Sequence, residues 1–180
     1  KSTHIPIALS SGTATKSAID VLENWASDLK TDGITLPTFA KTYKEYRTVQ
    51  TRAVDQAEKT GEKWVKGVAK TITETALSTI PGIGPILGKI GGMSAEALVD
   101  WLRGEGFNKS DIDLVLDPLK RLTDDFLADI NKIASMRRIV LLLDTFEKIV
   151  TLKDWVCDFV QNLHPNLLFV ISGRGIPDWD

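Results

Sequence analysis

Ile139-Val140-Leu141-Leu142-Leu143 is an unbroken apolar run that begins after Arg138 and stops at Asp144. A short apolar run bounded by charge predicts a strand over 138–143 buried on both faces, as in the centre of a parallel sheet. Leu167-Leu168-Phe169-Val170-Ile171 repeats the pattern and delivers Ser172-Gly173-Arg174. Between the two runs, Leu152, Trp155, Val156, Phe159, Val160 and Leu163 recur at helical spacing, and His164-Pro165-Asn166 makes the turn back. Strand, crossover helix and strand form a right-handed unit of a parallel sheet. Near the start, Ile5-Pro6-Ile7-Ala8-Leu9 predicts a third strand, with its proline at an edge or at the first residues. Thr13 or Thr15 then caps a helix through about Leu29, with Ile19, Leu22, Trp25, Ala26 and Leu29 on one face and Asp32-Gly33 as its stop.

The middle of the chain reads as helical. Pro37 opens a helix carrying Phe39, Tyr43 and Tyr46. Apolar residues then thin to Val54, Trp64, Val65, Val68 and Ile72, so residues 47–79 read as a solvated helix or an ordered arm. The Gly- and Pro-rich stretch Ile80–Gly92 breaks any long helix and reads as a tight loop between two helices; a membrane-active or oligomer-facing hairpin is the alternative. A helix from about Ser94 to Leu102 ends at Gly104 and Gly106, Ser110 caps a short one, and Asp117-Pro118 opens a longer one with Leu119, Leu122, Phe126, Ile130 and Ile133 inward. The organisation is therefore a strand and helix over 5–31, a helical insertion over 35–135, and a strand–helix–strand unit over 137–180.

Composition narrows the class. An apolar fraction of 43% and a charged fraction of 26% over 180 residues suit a globular α/β domain with a real core. With 22 basic and 24 acidic residues, nothing favours broad attraction to nucleic acid or to a membrane surface. The single Cys157 excludes an internal disulfide and fits a reducing, cytoplasmic setting. No apolar stretch is long enough for a spanning helix. Lys1 in place of Met, and an end at Asp180 just after a loop, read as a fragment of a larger protein.

Open parallel sheets hold their ligands at the carboxyl ends of the strands, which singles out Asp144 and Arg174. A carboxylate at a strand end can hold Mg²⁺ through water; it can also simply cap the following helix. Glu147, three residues on, can orient or deprotonate a water, or act as a first-turn acid. Arg174, in the Gly-flanked segment Ser172-Gly173-Arg174-Gly175, offers a planar fork for phosphate, or it is a solvated turn residue. Lys1-Ser2-Thr3 imitates the end of a phosphate-binding loop but lacks the glycines and the following helix, so the match is coincidental. His4 and His164 lack partners at metal-ligand spacing, and Cys157 reads as a packing residue.

At these residues the chain resembles a P-loop NTPase of the STAND class, the signalling relatives of AAA ATPases that include NACHT and NB-ARC modules. Ile139–Asp144 resembles the Walker B strand, Thr145-Phe146-Glu147 the segment after it, and Phe169–Arg174 the sensor strand that ends in arginine. The resemblance covers about residues 118–180. It implies a partial P-loop NTPase three-layer fold and ATP with Mg²⁺ as cofactors. Asp144 would be metal- and nucleotide-binding, Glu147 catalytic and Arg174 nucleotide-binding. It also implies self-assembly into homo-oligomers, a regulatory switch, and a phosphate-binding loop upstream of Lys1, leaving this fragment inactive alone. One departure is Thr145, where many such ATPases carry a second acid. The competing reading is a non-enzymatic interaction module whose working surface is the helical insertion.

Overall fold

A computed structural model of the chain describes residues 5–11, 17–60, 95–148 and 150–174. Three parallel strands, β1 (Ile7–Ser11), β2 (Ile139–Asp144) and β3 (Leu167–Ile171), form a sheet in the order β1-β2-β3. The described residues also form six α-helices: α1 (Ala18–Thr31), α2 (Pro37–Thr60), α3 (Ala95–Gly104), α4 (Lys109–Leu116), α5 (Pro118–Ala134) and α6 (Lys153–Gln161). The α/β class and the central place of β2 match the expectation from sequence.

The expectation that β2 is buried on both faces is not met. Ile7, Val140 and Leu168 share one row of the register, and Leu9, Leu142 and Val170 another. Ile7, Leu9 and Leu168 on that face are exposed, whereas Ala8, Ile139, Leu141 and Leu143 on the other are fully buried. The cause is topological. Right-handed crossovers from β1 to β2 and from β2 to β3 run in the same direction across the sheet, so both send their helices to one face. The three-layer expectation is thus met by two layers among the described residues.

The covered face holds the main core. Trp25 of α1 lies among Phe126 of α5, Trp155 and Phe159 of α6 and Phe169 of β3, with ring centroids 5.4–6.4 Å away. Its indole N–H donates to the Leu142 carbonyl at 3.0 Å, which satisfies a polar atom that burial would otherwise strand. Asp28 of the same helix accepts from the Leu9 N–H at 2.9 Å, on the outer edge of β1.

Helix starts depart from expectation in an instructive way. Ser17 caps α1 through a reciprocal box with Asp20, while Thr13 and Thr15 lie outside the described residues. Asn108, not Ser110, caps α4, again with an acid three residues on, Asp111. Each box satisfies two amides at once. Asp117-Pro118 opens α5 as read from sequence. β1 begins at Ile7, two residues later than expected. Pro6, which has no N–H, only accepts, from the Val140 N–H at 3.0 Å.

α2 runs unbroken to Thr60, so the first part of 47–79, read as a solvated helix or an ordered arm, is helix, and residues 61–79 lie outside the described residues. Its first turn is held by a buried acid from another helix: Asp129 of α5 accepts from the Thr38 N–H, the Thr38 hydroxyl and the Phe39 N–H at 2.7–3.0 Å. Farther along α2, Val49 and Ala53 build a second, smaller core with Leu98, Leu102, Phe107 and Ile112. Arg52 braces it, donating to the carbonyls of Glu105 and Gly106 and lying 4.2 Å over the Phe107 ring. No helix among the described residues is long and apolar enough to cross a membrane.

Candidate functional site

The parallel register brings three side chains into one row at the carboxyl edge of the sheet. Ser11 at the end of β1 is opposite Asp144 at the end of β2. Ser172 is the next residue after β3, and its backbone extends the ladder by donating to the Leu143 carbonyl at 2.9 Å. These positions continue the alternation of Leu9, Leu142 and Val170, so the row lies at the rim of the open apolar face.

Asp144 is tied down from both sides. The Ser172 hydroxyl donates to Oδ1, and the Thr145 hydroxyl donates to Oδ2 at 3.0 Å. The Thr145 oxygen also lies 3.4 Å from the Ser11 hydroxyl, which links β1 to the group. These bonds act on the ionised form. The Ser172 hydroxyl first, then the hydroxyl and backbone amide of Thr145, hold the Asp144 carboxyl below the usual carboxylate range.

Thr145 has φ +59°, the one non-glycine positive φ among the described residues. For a β-branched residue the left-handed region costs about 1–2 kcal/mol. The turn brings the Thr145 hydroxyl back to Asp144 and lets Phe146 enter the core at 3% exposure. Strain of this kind persists where surrounding contacts fix it, and it gathers at functional turns.

The loops after β2 and β3 are bound to each other. Phe146 N–H donates to the Ser172 carbonyl at 3.0 Å, and Arg174 N–H donates to Glu147 Oε2 at 3.1 Å. Arg174 Nε stands 3.9 Å from Glu147 Oε1, with the arginine side chain 92% exposed. Gly173 suits this close approach, because a Cβ on it would meet Glu147 Oε2 at 2.9 Å and the Phe146 amide at 3.3 Å, so the Glu147 carboxylate would have to shift. Glu147 lies in a short 3-10 turn, Phe146–Lys148, rather than in the first turn of the long helix that sequence spacing suggested. That helix, α6, starts only at Lys153.

Asp144, Glu147 and Arg174 therefore share one strand-end edge, as expected. Ser11, Thr145 and Ser172 belong to the same group but were not singled out for it. The available signal was hydroxyl residues at three strand ends, which gains meaning only once the register aligns them. His164 serves its turn, accepting at Nδ1 from the Asn166 N–H at 3.1 Å, and its own N–H donates to Asn131. Cys157 is half-buried in α6. Lys1-Ser2-Thr3, His4 and Ile80–Gly92 lie outside the described residues.

An anionic carboxylate bonded by hydroxyls can receive a hydrated cation, and an exposed guanidinium on the neighbouring loop can receive an anion. Among the described residues no group of three or more His, Cys, Asp or Glu side chains is placed to hold a metal. Asp144 still fits Mg²⁺, which binds through one or two carboxylates, water and phosphate rather than in an all-protein cage. The hydroxyls of Ser172 and Thr145 and the Thr145 backbone amide act on the Asp144 carboxylate, which has about four lone-pair directions. No family of known proteins, no curated protein and no solved structure matches the chain.

Proposed function

We propose that this chain is the nucleotide-binding core of a regulatory ATPase of the STAND kind, a switch responding to ATP and Mg²⁺. The observation that carries the reading is Asp144. It stands at the carboxyl end of the central parallel strand, kept anionic by Ser172 and Thr145, with Arg174 on the neighbouring loop. Asp144 would hold Mg²⁺, which when bound would supply charge neutralisation for the phosphates. Asp144 would orient its water shell, Arg174 would meet the terminal phosphate, and ligand occupancy would bias self-assembly into homo-oligomers. A fluorescent ATP analogue titrated into the full-length protein tests this. Binding that needs Mg²⁺ and weakens at least tenfold in Asp144→Ala supports the reading; equal binding by both proteins rejects it.

The second reading, a non-enzymatic interaction module, is favoured by one observation: α2, α3 and α4 enclose a core of their own, distinct from that of the sheet. Partner binding that survives Asp144→Ala and ignores nucleotide would select it.

A further inference from the structure

We propose that Glu147 is a positioning residue for Arg174: its carboxylate fixes the Arg174 backbone and acts as a placeholder that a ligand phosphate displaces from the guanidinium. The inference deepens the nucleotide reading and rests on it.

Glu147 makes two unequal contacts with the same residue. The bond from the Arg174 N–H to Oε2, at 3.1 Å, is a charge-assisted hydrogen bond to backbone. The approach of Nε to Oε1, at 3.9 Å, is long for a guanidinium–carboxylate pair, and the arginine side chain is almost entirely in solvent. An exposed pair with that geometry contributes little. The strong contact thus holds the loop and the weak one occupies the guanidinium.

A phosphate group carries more charge than one carboxylate and matches the planar fork with two oxygens. It can take the guanidinium from Oε1 while the backbone bond to Oε2 stays intact, so the loop need not be rebuilt on binding. Gly173 favours the arrangement, since a Cβ there would lie 2.9 Å from Glu147 Oε2 and force the carboxylate to shift. Phe146 keeps Glu147 in place through its buried ring and its N–H bond to the Ser172 carbonyl.

Two variants separate the two contacts. Glu147→Gln keeps an acceptor for the Arg174 N–H and removes the competing charge; Glu147→Ala removes both. Without ligand, amide exchange at Arg174 should stay protected in Glu147→Gln and become fast in Glu147→Ala. With a non-hydrolysable ATP analogue and Mg²⁺, so that turnover plays no part, Glu147→Gln should bind about two- to five-fold tighter than wild type, the scale of a weak exposed pair. That gain should vanish in an Arg174→Ala background. Unaltered or weaker binding by Glu147→Gln overturns the inference alone. So does a gain that persists without Arg174, which would make it general charge repulsion, or protection of the Arg174 amide that survives in Glu147→Ala. No binding by wild type overturns the nucleotide reading and this inference together.

Discussion

The Ser172 hydroxyl donates to the Asp144 carboxylate across the ends of two neighbouring parallel strands. The bond is available because β3 runs one residue beyond its strand in ladder geometry, with Ser172 N–H on the Leu143 carbonyl. Ser172→Ala removes the largest influence holding the Asp144 carboxyl low. A carboxylate with a lowered folded value contributes stability that is present above its unfolded value, about 3.9, and is lost as pH falls through the folded value. The variant should therefore be less stable than wild type near neutrality, with the difference shrinking in acid. Carbon-detected NMR titration of Asp144 should show its midpoint moving up in Ser172→Ala.

Thr145 offers a paired test of strain. Thr145→Ala loses the hydroxyl on Asp144 but keeps a Cβ at φ +59°, so thermal stability should fall. Thr145→Gly loses the same hydroxyl but relieves about 1 kcal/mol or more of backbone strain. It should be the more stable of the two by calorimetry, while both let the Asp144 titration drift upward.

Asp129 holds three donors at the start of α2 while itself 8% exposed. Asp129→Ala strands the buried Phe39 amide and the part-buried donors of Thr38, and should cost about 3 kcal/mol in denaturant unfolding. Asp129→Asn, which keeps an acceptor, should cost less. Equal losses would mean that charge, not acceptance, secures the helix.

The two faces of the sheet should respond differently to truncation. Leu141 is fully buried and Leu168 is 58% exposed on the neighbouring strand. Leu141→Ala should cost about 2–5 kcal/mol and Leu168→Ala under about 1 kcal/mol. Comparable losses in chemical denaturation would show that the outer face is covered.

Much of this architecture was readable from sequence because the decisive patterns are local. Leu167–Ile171 coincides with β3, Asp117-Pro118 marks the start of α5, and the apolar run ending at Asp144 is the central strand. What escaped was set by relations between distant segments. The apolar run of β2 does not say whether one face or two are covered; crossover direction decides that. The dependence of α2 on Asp129 spans 91 residues, and no periodicity in either helix announces it. The site divides the same way. Asp144 and Arg174 stand out at strand ends, but Ser11 and Ser172 become neighbours of Asp144 only through register. Sequence spacing suggests for Glu147 a residue that orients or deprotonates a water, or a first-turn acid; its hold on Arg174 depends on a loop 27 residues away.

Paramagnetic broadening by Mn²⁺, substituted for Mg²⁺ in a complex of the full-length protein with ATP, tests the nucleotide reading most directly. The account predicts ATP-dependent loss of amide signals at Asp144–Glu147 and Ser172–Arg174, with the effect abolished in Asp144→Ala. ATP binding accompanied by broadening elsewhere, or by none at these two loops, would contradict it.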